Sequence, residues 1–420
     1  MSIYRTRRQE LIKNLQAKGS SEGVILLMSN FERDGALFRQ ESSFYYFTGI
    51  TEPGVFLLID FSGKTTLYVP CYPAKRSAWV TGTISLDADN VKLDVDQISF
   101  LGDPLATLAL PLLFTSHDVS KLIHDLKVIS QAKENIYTCI GSSPRSYVEQ
   151  KIVLSRLEGL FVDIADSVAS LRRIKSRFEI DQLVQAVECT MVAQSGASQL
   201  IESGKSESEI QATIEYLYTE AGGRPAFPTS VASGKNGTIL HYTLNKSQLK
   251  NGDLVVIDTG AEIGHYCADI TRTYPVSGVF TKRQRHLYNV VLDTQKFVAS
   301  RAKPGYWLNN KEYPEKSLHH LAVHFLMERD LDPYFIHGIG HFLGLDVHDV
   351  GNPTEPLQVG DVITLEPGVY IPEENSGIRI EDNYQVVHNG LRCLSKDLPQ
   401  EADEIELMMQ ESDEDDSDYE

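Results

Sequence analysis

Long apolar runs are missing from this 420-residue chain. None approaches the roughly 20 residues that cross a bilayer, so no membrane partner is expected. Cysteine is sparse: Cys71, Cys139, Cys189, Cys267 and Cys393 are scattered, odd in number and form no C-x-x-C pair. That pattern argues against a disulfide framework and for structural thiols in a reducing compartment, so a cytoplasmic location is expected. Positive charge is also in short supply. The net charge of −19 disfavours nucleic acid and anionic lipid as partners. The last ten residues, ESDEDDSDYE, hold seven acidic side chains, a block that repels itself and reads as a disordered tail. Subtracting those seven still leaves −12. The first fifteen residues carry Arg5, Arg7 and Arg8 but no apolar segment after them, so they do not read as a secretory signal. Glu10 argues against a mitochondrial presequence, and Ile12 and Leu15 fall on one side of an amphipathic helix.

What is present is the composition of a globular protein, 42% hydrophobic and 23% charged, long enough for two or three domains. Residues 1–169 read as an α/β domain. Val24-Ile25-Leu26-Leu27 is a buried-type strand, and Phe44-Tyr45-Tyr46-Phe47 leads into a turn at Gly49. Residues 55–59 and 65–69 flank a turn at Asp60–Lys64, a hairpin pattern. Residues 170–409 read as an α+β domain with a largely antiparallel sheet. Its helices are announced by a capping box at Ser176 and Glu179 and by starts at Ser206 and Thr281. Residues 410–420 form the expected tail.

Within the second domain, strand-like runs repeatedly end in an acid. Leu254-Val255-Val256-Ile257 ends in Asp258, and a turn-rich stretch with Gly260 and Gly264 leads to Asp269-Ile270-Thr271-Arg272-Thr273. Two strands joined by a loop would bring Asp258 and Asp269 together. Val362-Ile363-Thr364-Leu365 ends in Glu366, and Arg379 and Glu381 share a strand face by the period of two. His337-Gly338-Ile339-Gly340-His341 places two histidines four apart, with glycines that favour close backbone approach over a helix. Taken singly, each has an ordinary reading: Glu366 as a turn residue, Glu381 paired with Arg379 or Arg272 at the surface, His341 as a hydrogen-bonded core histidine. Taken together, four acids where core residues belong call for compensation. Two divalent cations would neutralise them, and an oxygen-rich donor set with one nitrogen favours manganese over structural zinc. A pair of such ions acidifies water and polarises a carbonyl, the equipment for hydrolysing an amide.

Six motifs in order carry a resemblance: Ile239-Leu240-His241-Tyr242, the Asp258-to-Thr273 stretch, His337–His341, Asp346-Val347-His348-Asp349-Val350-Gly351, Glu366-Pro367-Gly368-Val369-Tyr370 and Gly377–Asp382. The set resembles the pita-bread metallopeptidases, the group of methionine aminopeptidase, prolidase and aminopeptidase P. It is most similar to aminopeptidase P, the Xaa-Pro aminopeptidases. Phe38–Gly49 resembles the non-catalytic N-terminal domain of aminopeptidase P and prolidase. The resemblance implies hydrolysis of the bond between an N-terminal residue and a following proline by a dinuclear metal site. It implies Asp258, Asp269, His341, Glu366 and Glu381 as metal ligands, with Asp269 and Glu381 shared by two ions, usually manganese. It implies His241 and His348 as substrate-contacting histidines, Glu366 also as proton shuttle, and His337 lining the proline pocket. Tyr370 and Arg379 fall at supporting hydrogen-bond positions. Trp79 matches a tryptophan placed near a neighbouring subunit's site, and a dimer or tetramer is implied. Prolidase, which cleaves only Xaa-Pro dipeptides, is the alternative. The short Asn352–Pro356 link after His-Asp-Val-Gly favours aminopeptidase P, because eukaryotic prolidases carry a long insertion there. Non-enzymatic relatives have lost their ligands, whereas all five positions are filled here.

Overall fold

The structure, a computed structural model, describes residues 2–31, 37–70, 93–101, 120–131, 135–140, 154–155 and 160–410. Trp79 and residues 411–420 lie outside the described residues. The chain divides into two compact units, Met1–Arg172 and Arg173–Glu420.

In the first unit, β1 (Val24–Met28), β2 (Phe56–Asp60), β3 (Thr65–Pro70), β4 (Gln97–Leu101), β5 (Asn135–Thr138) and β6 (Leu160–Asp163) form one sheet in the order β4-β3-β2-β1-β5-β6. The β1–β2 and β2–β3 pairs are antiparallel; β3–β4, β1–β5 and β5–β6 are parallel. Every residue of β1 is buried, as an inner strand covered on both faces requires. The β2–β3 turn is set by Asp60, whose Oδ1 accepts from the Ser62 and Lys64 amides at 2.8 and 3.0 Å. The aromatic run 44–47 is part of a helix, Ser42–Thr48, not extended chain. Its propensity is overridden by its ends: Glu41 caps the Phe44 amide at 2.6 Å, and Gly49 closes the helix at φ 67°.

The second unit is the expected α+β architecture. Helices Arg177–Ser198, Glu207–Glu220 and Lys282–Arg301 each begin with a complete capping box, at Ser176, Ser206 and Thr281. Helices Leu318–Met327 and Ala402–Gln410 follow, so Gln410 ends a helix rather than opening a tail. Its strands are β7 (Arg224–Pro225), β8 (Ser230–Ser233), β9 (Leu254–Thr259), β10 (Ala261–Ile263), β11 (Tyr266–Cys267) and β12 (Ile270–Pro275). They continue with β13 (Val362–Leu365), β14 (Gly368–Ile371), β15 (Ser376–Arg379), β16 (Asp382–Val387) and β17 (Gly390–Cys393). All pairings among them are antiparallel: β8–β9–β12, β7–β10–β11, β13–β16–β17 and β14–β15.

Strand β9 shows how an acid comes to end an apolar run. Val255 and Ile257 belong to the large core with Tyr274, Val291, Ile363 and Ile380. Val256 points the other way, into a small cluster with Ala232 and Tyr242. Asp258 follows Val256 by two, so the pleat puts it on that second face, away from the large core. The expected loop between Asp258 and Asp269 is a second hairpin, β10–β11, whose two-residue turn has φ 54° at Gly264 and 71° at His265.

Candidate active site

Asp258 lies in β9 opposite Thr271 of β12. Asp269 is not inside β12 but stands one residue before it, two residues from Thr271 and so on the same face. The backbone there is pinned by Asn383, whose Oδ1 accepts from the Asp269 amide at 3.2 Å and whose Nδ2 donates to the Asp269 carbonyl. Glu366 follows β13 directly, and Glu381 falls between β15 and β16 with its amide donating to the Thr271 carbonyl at 3.0 Å. The histidine-bearing segment runs alongside β13. The Glu366 amide donates to the Ile339 carbonyl at 2.9 Å and the Thr364 amide to the His341 carbonyl at 2.9 Å. A Cβ on Gly340 would lie 2.0 Å from the Thr364 carbonyl oxygen, so only glycine permits this approach.

These segments converge. Asp269, His341 and Glu381 each offer a ligand atom within 4.8 Å of the others'. The His341 Nδ1 lies 3.0 Å from the Phe342 carbonyl, which can only accept, so Nδ1 carries the proton. Its Nε2 is then the ring atom that faces the acids, 3.4 Å from Asp269 Oδ2 and 3.6 Å from Glu366 Oε1. Asp258 Oδ1, Asp269 Oδ1 and Glu381 Oε1 are buried with no hydrogen-bond partner. Burial, then the neighbouring Asp258 and Glu366, hold the Asp269 carboxyl well above the usual range. Burial, then Asp269, Glu366 and Asp258, do the same to Glu381, and burial raises Glu366. Unpartnered oxygens, an imidazole nitrogen turned toward them and mutually repelling acids fit a hard divalent cation chemically.

A relay of fixed polarity borders this cluster. The His337 Nδ1 donates to the Gly338 carbonyl at 2.8 Å, which leaves Nε2 to accept from the Tyr370 hydroxyl at 2.9 Å. That hydroxyl accepts in turn from Arg379 at 2.8 Å. Arg379 also donates to Asp258 Oδ2 at 2.7 Å and to the Thr271 hydroxyl at 3.1 Å. The Thr271 hydroxyl donates to Glu381 Oε2 at 2.7 Å. Burial lowers the His337 imidazole to about 4, helped by Arg379, and pushes the Tyr370 phenol up to about 12. Burial works against the Arg379 charge, but Tyr370, Asp258 and Glu381 outweigh it and keep the guanidinium firmly protonated.

Of the other expected residues, His348 stacks edge-on against His341, with ring centroids 4.5 Å apart. Burial, then His341 and His241, lower its pKa. His241 is exposed beyond the short 3-10 helix Gly234–Thr238. The ordinary alternative for Glu381, a surface pair with Arg379 or Arg272, is not what the structure has: Arg272 is fully buried and binds Asp382 at 2.8 Å, and Arg379 takes Asp258. Sequence reasoning missed Thr271, Thr364 and Asn383. Thr271 was within reach, since it follows Asp269 by the strand period; Asn383 was not, because its partner is 114 residues away.

An antiparallel α+β unit that gathers four buried or half-buried carboxylates and an imidazole at one centre has the make-up of a metal-dependent hydrolase. Residues 181–388 match the model of metallopeptidase family M24, and residues 4–112 that of the aminopeptidase P N-terminal domain. The chain is 31% identical over 441 residues to the Xaa-Pro aminopeptidase of Escherichia coli K12, covering 97% of both. It is 34% identical over 332 residues to the Xaa-Pro dipeptidase of Pyrococcus furiosus, covering 76% of this chain and 90% of that one. The solved structure of zinc-substituted E. coli aminopeptidase P with product superposes with a TM-score of 0.82 at 28% identity, covering 98% and 99%. The chain belongs to metallopeptidase family M24, with an aminopeptidase P N-terminal domain ahead of the peptidase domain.

Proposed function

We propose that the protein is an Xaa-Pro aminopeptidase, which releases the first residue of peptides whose second residue is proline. The observation that carries the reading is the set of unpartnered buried oxygens on Asp258, Asp269 and Glu381, with the Nε2 of His341 turned toward the same acids. Full-length similarity to the E. coli Xaa-Pro aminopeptidase supports the substrate class. In this reading Asp258, Asp269, His341, Glu366 and Glu381 would hold two divalent cations. The donor set, four carboxylates to one imidazole, suits Mn2+. Once bound, the ions supply Lewis acidity and make water nucleophilic near neutral pH.

The chain's own residues do the rest. Arg379 holds Asp258 in place through their 2.7 Å bond, and the substrate's free amine lies near Asp258. Glu366 takes a proton from the nucleophilic water and passes it to the proline nitrogen as the bond breaks. His348, kept neutral by burial, donates to the carbonyl oxygen as charge develops there. His337 and Tyr370, locked in one orientation, wall the proline pocket, and His241 contacts the peptide. The bond before proline has no N–H, so the pocket needs no acceptor for one. The first unit is read as non-catalytic. The protein is read as a cytoplasmic homo-oligomer, which size-exclusion chromatography with light scattering would test.

A second reading, Xaa-Pro dipeptidase, is favoured by the 34% identity to the Pyrococcus enzyme. A hydrolysis assay with Mn2+ separates them, comparing an Xaa-Pro-Xaa tripeptide with an Xaa-Pro dipeptide. Cleavage of the tripeptide is expected. Cleavage of the dipeptide alone would replace the first reading by the second, and activity on neither would remove both. Asp269→Ala should abolish turnover, and Glu366→Gln should lower kcat by about 10²–10⁴-fold through loss of proton transfer.

A further inference from the structure

Two glutamines outside the site are fully buried and face it from two different helices. Gln194 sits on helix Arg177–Ser198. Its Nε2 donates to the Ile257 carbonyl at 3.2 Å and to the Ile270 carbonyl at 3.0 Å. Ile257 directly precedes Asp258, and Ile270 directly follows Asp269. Gln295 sits on helix Lys282–Arg301. Its Nε2 donates to the Leu365 carbonyl at 3.0 Å and to the Ile380 carbonyl at 3.2 Å. Leu365 directly precedes Glu366, and Ile380 directly precedes Glu381. Each amide thus ties together the two backbone carbonyls next to one pair of carboxylates.

The amide polarity is dictated by the partners. Gln295 Nε2 also lies 3.0 Å from Asp382 Oδ2, so three oxygens face that end, and a turned amide would set oxygen against all of them. Gln194 Oε1 accepts from the Tyr274 hydroxyl at 3.0 Å, which leaves its NH2 for the carbonyls. A glutamine is an expensive choice for an apolar core. Its rotamer freedom is lost, and an unmatched polar atom adds to the cost, as at Gln295 Oε1, which is buried with no hydrogen-bond partner. A leucine would fill either position at lower cost if packing were the only requirement.

We propose that Gln194 and Gln295 are positioning residues of the metal site: each sets the separation of one carboxylate pair, Asp258 with Asp269 and Glu366 with Glu381, by clamping the adjoining backbone. The inference rests on the ligand set proposed above. Both members of each pair leave the backbone one residue from a clamped carbonyl, so their Cα separation is fixed before any ion arrives. A cation that must meet ligands from four chain segments is then bound by a preformed frame.

The test is calorimetric titration of the demetallated full chain with Mn2+. The unaltered protein must bind Mn2+ first; if it does not, the ligand reading itself fails and activity is not at issue. Gln194→Met and Gln295→Met keep length and apolar volume but remove the donors. Each should weaken Mn2+ binding about tenfold or more, the range seen when supports behind a metal ligand are removed. Leu183→Ala, a buried change on the same helix as Gln194, is the control for general destabilisation and should leave the affinity unchanged. Equal loss in Leu183→Ala, or unaltered affinity in both glutamine variants, would overturn the proposal. If Gln194→Met does not fold, Tyr274→Phe decides. It frees the oxygen end of Gln194 and should give a smaller loss of the same sign, and no loss would refute the clamp.

Discussion

Asp269 and Glu381 hold protons in the metal-free protein far more tightly than they would in an unfolded chain, because burial opposes ionisation first and neighbouring charge second, from Asp258 and Glu366 at Asp269 and from Asp269 and Glu366 at Glu381. The sign of the resulting stability change follows from linkage. A raised carboxyl contributes stability below its unfolded pKa, and that contribution is lost as pH rises through the raised folded value. Demetallated protein should therefore lose stability as pH rises above the ordinary carboxylate range. Added Mn2+ competes with those protons, so its stabilising shift should be larger at pH 8 than at pH 5. Thermal unfolding of chelator-treated protein at both pH values, with and without Mn2+, measures this. A larger shift at pH 5 would contradict the placement of these acids.

The two glycines around Ile339 show how an element can exist to serve one side chain. The segment 339–343 lies alongside β13 in extended backbone pairing rather than in a helix, and His341 is delivered to the centre by it. The Thr364 hydroxyl lies 3.1 Å from the His341 amide and accepts its hydrogen bond. A methyl group at position 340 would meet both the Thr364 carbonyl and, at 3.1 Å, its hydroxyl. Gly340→Ala should destabilise the protein by about 1–3 kcal/mol through overpacking and weaken Mn2+ binding with it. Denaturant unfolding beside a metal titration checks both, and unchanged values would show that the segment yields freely. Arg272 is the opposite kind of support. It is fully buried, paired with Asp382 at 2.8 Å, and donates to the Glu381 carbonyl at 2.9 Å, so it braces β12 against the turn that carries Glu381.

Across the molecule, every residue proposed to touch metal or peptide and lying among the described residues belongs to the unit Arg173–Glu420. Metal should therefore stabilise that unit selectively. At a free concentration of 100 times Kd the gain is about 2.7 kcal/mol. Hydrogen exchange read by segment should slow in β9, β12, β13 and β15 on adding Mn2+ to demetallated protein and stay unchanged in β1, β2 and β3. Equal protection of both units would place the ions elsewhere or show that they act through both.

Local pattern was sufficient for much of this. Capping boxes, strand periods and apolar runs ending in Asp258 and Glu366 depend on residues a few positions apart, so they are visible in a one-dimensional string. The motif order pointed to a metallopeptidase for the same reason. What the string did not carry was every feature built from distant partners of unexceptional type. Thr271 reads as an ordinary β-branched strand residue until it meets Glu381 and Arg379. Arg272 reads as a surface cation until Asp382 buries it. Gln194 and Gln295 read as helix formers until their helices bring them to backbone carbonyls more than 60 residues away. The β10–β11 hairpin was hidden in a turn-rich stretch because strands of two and three residues are too short for alternation to register. Which acids could face one another was written locally; whether they did depended on chain reversals and buried polar contacts that only packing in three dimensions creates.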